Sequence, residues 1–225
     1  MPGQRLKITL PLILGSMIFY LIVLPFIQYP ITTFLKPIPI ILLMLYTLQV
    51  TLEQPIKFLL LGALSFSLIG DIVLTLPLKA ALQMGILAFM ATHCVYICLF
   101  LKKGQFQKKN CLSFLPILMF VLIGGYVLWP YLGEMKIPVS LYLFLLTFMV
   151  FCSFQVKQQS RFIRLGACLF LLSDFTLALD LFVLTPNKLL AVLIMLLYYI
   201  AQLLLVVGTT QRNYQNIKQH IPTYS

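Results

Sequence analysis

Four ionisable side chains fall inside long apolar runs of this sequence: Asp71, His93, Asp174 and Asp180. Placing an aspartate at the centre of a membrane helix costs roughly 2.5–3.5 kcal/mol, so residues of this kind are retained where they do something. No Lys or Arg shares the runs around Asp71 and Asp174, which leaves both without an evident counter-charge. In a greasy pocket a carboxyl serves as proton donor as readily as anion, and a neighbouring pair can divide the two roles. The chemistry open to them is acid–base catalysis or the carriage of protons across a membrane. Other chemistries lack their parts. The chain has no GxSxG elbow, no Walker-type glycine loop and no HExxH. One intramembrane histidine is too few for a zinc site, so neither metal nor cofactor is expected.

Helical spacing brings these groups to similar depths. At about 1.5 Å per residue, Asp71 lies about 21 Å in from Lys57, Asp174 about 15 Å in from Arg164, and His93 about 13–14 Å in from Lys102. All three are expected in the middle third of a bilayer, where one cavity can hold them. Asp180 follows Asp174 by six residues, roughly 120° round the helix and nearer the outer face. Ser67 stands one turn before Asp71 and Tyr96 one turn after His93, spacings that suit hydrogen bonds between helices. Tyr198 and Tyr199 precede Gln202 by four and three residues, a polar stripe that can face the carboxylates.

The elements that hold these residues follow from composition. Of 225 residues, 61% are hydrophobic and 9% charged, with a mean hydropathy of +1.03. A soluble domain carries roughly 25% charged residues, too many for this chain to match. The formal net charge of +11 does not indicate nucleic acid, because the cations sit in short gaps between apolar runs rather than on a soluble basic face. The runs read as eight transmembrane helices over about 8–27, 37–52, 58–78, 80–101, 112–132, 137–156, 165–185 and 189–211. The second is short and carries Pro37 and Pro39 at its entry, where proline costs a helix least. The fold class is therefore all-α, a polytopic membrane bundle forming a single transmembrane domain over residues 1–225. The run after Arg5 and Lys7 is too long for a signal-peptide core and reads as a first span. The five cysteines show neither CxxC nor paired spacing and read as small packing residues.

Charge distribution orients the bundle. With a cytoplasmic N-terminus, Arg5, Lys7, Lys57, Lys102, Lys103, Lys108, Lys109, Lys157, Arg161, Arg164, Arg212 and Lys218 fall inside, against Lys36, Lys79, Lys136 and Lys188 outside. Both termini are thus expected to be cytoplasmic, the tail after Gln211 to fray, and a bacterial inner membrane to be the location. An internal echo joins spans three and seven: Gly62-Ala63-Leu64-Ser65-Phe66 leads to Gly70-Asp71, and Gly166-Ala167-Cys168-Leu169-Phe170 leads to Ser173-Asp174. A four-plus-four duplication would produce it, and so would chance likeness among apolar helices.

These same residues carry a resemblance. Lys36-Pro37 opens span two; Gly70-Asp71-Ile72-Val73-Leu74 lies on span three; Gly85, Phe89, His93, Tyr96 and Phe100 run along span four. Gly166-Ala167-x-x-Phe170-x-x-Ser173-Asp174-x-x-Leu177-Ala178 and Phe182 follow on span seven, and Tyr198-Tyr199-x-Ala201-Gln202 on span eight. In order and spacing the chain resembles the YhhN family of eight-helix membrane proteins, which includes the lysoplasmalogenases. The match is close over spans two to four, seven and eight, and loose over spans one, five and six, where Tyr142 and Met149 align. The resemblance implies an ether-bond hydrolase that cleaves the vinyl ether of a lysoplasmalogen, giving a fatty aldehyde and glycerophosphoethanolamine or glycerophosphocholine. It implies that Asp71 and Asp174 are the catalytic carboxylates.

A vinyl ether is hydrolysed by protonation at its β-carbon, addition of water to the resulting oxocarbenium ion, and collapse of the hemiacetal. One aspartate is then the acid and the other the base that positions water, with the order of the two left open. His93, Tyr198, Tyr199 and Gln202 are expected to orient water or the carboxylates. Lys36, at the outer mouth, reads equally as a phosphate contact and as a snorkelling interfacial lysine. The partners expected are the lysophospholipid substrate and membrane lipids, not nucleic acid. A proton-coupled transporter of a lipid or small amphiphile is the main alternative, and a scaffold a third.

Overall fold

The computed structural model describes residues 2–156 and 161–219, so the inside cation Lys157 lies outside the described residues. Among these residues the chain is helical: α1 Pro2–Val23, α2 Ile31–Leu35, α3 Ile38–Gln49, α4 Gln54–Val73, α5 Ala81–Lys103, α6 Lys108–Leu128, α7 Lys136–Phe154, α8 Arg161–Phe182 and α9 Lys188–Gln219. The one departure is an isolated bridge between Gly104 and Val156. Eight segments of the described chain are long and apolar enough to cross a membrane, with α2 and α3 together forming the second. Their outward faces are greasy, with Phe26 84% and Ile137 81% exposed, while Asp71, His93, Thr92 and Gln202 are buried. That inversion suits a bundle whose solvent is hydrocarbon. The protein is a multi-pass integral membrane protein.

Three departures from the sequence reading position the site. The second span begins at Ile31 rather than Pro37 and breaks at Lys36-Pro37, with Pro37 as the N-cap residue of α3. The break draws Lys36 inside the bundle. The third span ends at Val73 rather than Leu78, because Thr75 turns back to the Ile72 carbonyl and to Thr33, and Pro77 cannot extend a helix. Asp71 therefore sits in the last turn of α4, not at mid-span. The backbone of α9 remains helical to Gln219 instead of fraying after Gln211.

The tightest pairings are α4 with α5 and α8 with α9. Small residues make them possible, as is usual where helices pack in lipid. A Cβ on Gly166 would stand 3.0 Å from the Ala201 carbonyl oxygen, and a Cβ on Gly208 would stand 2.8 Å from Ile163. A Cβ on Gly70 would strike the Phe89 ring at 2.6 Å. Phe89 thereby closes over the turn that carries Asp71.

Candidate active site

Asp71 is 1% exposed and has both oxygens engaged. Its Oδ1 lies 3.3 Å from Lys36 Nζ, whose own side chain is 12% exposed. Its Oδ2 accepts a hydrogen bond of 2.7 Å from the Tyr198 hydroxyl. The expected lack of a counter-charge is overturned here: the lysine at the helix break supplies one. Lys36 is consequently neither a snorkelling residue nor free at the mouth, since its ammonium is committed to Asp71. Tyr199 secures the arrangement by donating its hydroxyl to the Lys36 carbonyl at 2.7 Å, which occupies an acceptor near the break.

Asp174, on α8, has a different environment and an 11% exposed side chain. The Tyr142 hydroxyl of α7 donates a short hydrogen bond to Asp174 Oδ2. His93 Nε2 lies 3.1 Å from the same hydroxyl and 3.6 Å from Asp174 Oδ2. Because the Tyr142 proton is spent on Asp174, the Tyr142 oxygen accepts from His93, which places the imidazole proton on Nε2. His93 Nδ1 is buried without a partner among the described residues. Phe170 and Tyr142 meet the imidazole edge-on, with ring centres 5.1 and 5.2 Å away.

Asp71 and Asp174 line one cavity of about 470 Å³, with Lys36, Tyr198, Lys79 and Asp180 also in its wall. The two carboxyls are near enough for their charges to interact. No direct hydrogen bond joins them among the described residues, and both face the same cavity. A narrower apolar slot of about 60 Å³, lined by Gly85, Ile86, Ala178 and Phe182, runs between α5, α7 and α8 and shares Asp174 and Phe89 with the cavity.

The remaining polar residues divide into two groups. Gln202 does not touch a carboxylate. It accepts from Tyr96 at 2.7 Å and donates to Ser67 at 2.8 Å, and Ser67 lies 3.3 Å from Thr92. This chain of hydrogen bonds ties α4, α5 and α9 together beneath the cavity, which is the role the spacing of Ser67 and Tyr96 suggested. Asp180 reaches the cavity wall but makes no ion pair among the described residues, and its Oδ1 is buried without a partner. Tyr142 is the site residue that sequence reasoning left without a role. Its only signal was its alignment in an otherwise loosely matched span.

Taken together, the cavity holds one carboxyl beside a cation, a second beside a phenol and an imidazole, and an apolar slot adjoining the second. That set can donate a proton, stabilise a cation and accept a proton from water, without a nucleophilic Ser or Cys.

The family model for the YhhN family matches residues 31–209, which spans every residue of this site. The "uncharacterized membrane protein YhhN" of Escherichia coli O157:H7 is 29% identical over 151 residues, 62% of this chain and 69% of that protein. The protein of the same name from Shigella flexneri matches to the same extent, 29% over 151 residues. No solved structure matches the chain.

Proposed function

The chain belongs to the YhhN family, and from that membership we propose that it is a lysoplasmalogenase-like hydrolase, cleaving the vinyl ether bond of a single-chain lysophospholipid. The observation that carries this reading is the pairing of two unlike carboxyls on one cavity, Asp71 beside Lys36 and Asp174 beside Tyr142. The adjoining apolar slot of about 60 Å³ suits the first carbons of a single alkenyl chain beside Asp174, with the polar end of the substrate left in the wider cavity.

The unlike environments divide the work. We assign the base to Asp71, whose Oδ1 has an ammonium 3.3 Å away, and the acid to Asp174, which is paired with no Lys or Arg among the described residues. Asp174 gives its proton to the β-carbon of the vinyl ether. The π pair forms the new C–H bond, and positive charge falls on the α-carbon and ether oxygen. The Asp71 carboxylate faces that cation and takes a proton from the water that adds to the α-carbon. As the hemiacetal collapses, Asp71 returns its proton to the departing glycerol oxygen and the hemiacetal hydroxyl proton goes back to Asp174. Both groups end as they began. Tyr142 and His93 hold Oδ2 of Asp174 so that Oδ1 meets the substrate, and Tyr198 holds Asp71. General acid–base catalysis of this kind contributes about 10²–10⁴-fold.

The test is aldehyde release from lysoplasmenyl-ethanolamine by the purified protein in detergent, beside its Asp71→Asn variant. Release by the wild type alone supports the reading and implicates Asp71. Absence of aldehyde from a folded wild type overturns it and turns attention to proton-coupled transport.

A further inference from the structure

Asp180 is used by nothing in the scheme above. It lies near the end of α8, in the wall of the same cavity as Asp71 and Asp174. Six residues separate it from Asp174, about 9 Å along the helix at 1.5 Å per residue. Its Oδ1 is buried and has no hydrogen-bond partner. Lys36 is taken by Asp71, and Lys79, in the same wall, forms no ion pair with Asp180. Asp180 thus lines the cavity with no cation of its own among the described residues, and a carboxylate so placed makes a ready acceptor for a charged donor brought by a ligand.

We propose that Asp180 is the headgroup-selecting residue of this cavity, its carboxylate accepting an N–H from the primary ammonium of an ethanolamine-type lysolipid. This rests on the reading that the cavity takes a lysolipid. The scissile end of such a lipid lies at Asp174, and a glycerophosphoethanolamine unit can bridge from there to Asp180. Lys79, exposed at the mouth of the cavity, supplies a cation for the phosphate between them.

The chemistry favours a primary over a quaternary ammonium. A carboxylate oxygen is satisfied by an N–H donor, and a trimethylammonium group has none. Quaternary groups are recognised by the faces of aromatic cages. The three aromatic side chains of this wall pack on other rings rather than around an open cage: Phe89 meets Tyr198 edge-on with ring centres 6.0 Å apart, and Tyr20 meets Tyr199 edge-on at 5.9 Å.

The experiment compares two saturated alkyl-ether lysolipids, one with a phosphoethanolamine and one with a phosphocholine headgroup, which lack the vinyl group and are not turned over. Their dissociation constants are measured by titration calorimetry on the full-length protein in detergent, for the wild type, Asp180→Asn and Asp180→Ser. The wild type should bind the ethanolamine lipid more tightly. Either variant should weaken it roughly ten- to hundredfold, the scale of one charge-assisted hydrogen bond, and leave the choline lipid almost unchanged. The serine variant carries the test if the asparagine variant does not fold. An ethanolamine-to-choline ratio that is the same in all three proteins overturns the proposal, as does failure of the folded wild type to bind either lipid. Discrimination that depends on Asp180 without any aldehyde release would sink the hydrolase reading and leave this inference standing. Aldehyde release with unaltered discrimination would do the reverse.

Discussion

The carboxyls of the site sit on two helices with echoing sequences and are treated in opposite ways. On α4, Asp71 occupies the last turn, 1% exposed, with a lysine on one oxygen and a tyrosine on the other. On α8, Asp174 stands further inside its helix, 11% exposed, held on one oxygen by a tyrosine that is backed by a histidine. The packing differs as well. Gly166 presses against α9 so closely that a Cβ would meet the Ala201 carbonyl oxygen at 3.0 Å, whereas a Cβ on Gly62 would rest in ordinary contact with Val95 at 3.6 Å. The same short motif thus supplies only the carboxyl. The partners that distinguish the two carboxyls come from α2–α3, α7 and α9, so under the proposed scheme division of labour arises between similar helices without change in the helices themselves.

The largest expected effect removes either member of the pair. Asp71→Asn and Asp174→Asn should each lower aldehyde release by about 10³-fold or more, within the range for loss of a general acid or base, while both proteins remain folded by size-exclusion chromatography and circular dichroism. Substantial turnover in either variant would mean that one carboxyl suffices, and the comparison would collapse.

Next in size is the dependence of Lys36 on Asp71 and not on Asp174. Breaking a buried ion pair by removing one partner costs about 3–5 kcal/mol, because the other charge is left uncompensated. Lys36→Met should therefore destabilise the wild type by that order in a denaturant titration, and much less in an Asp71→Asn background. In an Asp174→Asn background the full loss should return. Equal losses in all three backgrounds would show that Lys36 does not distinguish the two halves.

How much of this was legible in the sequence depends on what kind of signal each residue gave. Hydropathy marked the eight spans, and an ionisable side chain inside an apolar run is conspicuous, so Asp71, His93, Asp174 and Asp180 all stood out. Lys36 stood out only as a motif at a span edge. Its inward position depends on the helix starting at Ile31 and breaking at Pro37, and neither hydropathy nor charge spacing locates a break of that kind. The end of the third span was misplaced for a related reason: apolar residues continue to Leu78, but Thr75 and Pro77 end the helix before them. Tyr142 was hidden among the other tyrosines of an apolar chain, since only a partner in space sets it apart. Gln202 was grouped with the carboxylates by its spacing from Tyr198, yet its amide is spent on Tyr96 and Ser67.

A smaller effect separates the two tyrosines. Tyr142→Phe removes the one hydrogen bond to Asp174 Oδ2 among the described residues and disconnects His93, so the rate should fall by roughly tenfold, as for loss of one positioning hydrogen bond. Tyr198→Phe leaves Asp71 its lysine and should cost less. His93→Ala should slow the wild type yet add little to Tyr142→Phe, because the histidine reaches Asp174 through that hydroxyl. Additive losses in the double variant would place His93 on a separate path to the substrate.

The smallest effect lies outside the site and tests where its boundary falls. Tyr96 is buried one turn from His93, yet its hydroxyl goes to Gln202 and not to either carboxyl. Hydrogen bonds between membrane helices are worth about 0.6 kcal/mol on average. Tyr96→Phe should accordingly cost about that much stability, read by thermal unfolding in detergent, with turnover held near the wild-type rate. A rate loss as large as that of Tyr142→Phe would mean that the Tyr96–Gln202–Ser67 chain reaches the reacting groups. The two carboxyls would then share a supporting network, and their separation into differently held halves would fail at its base.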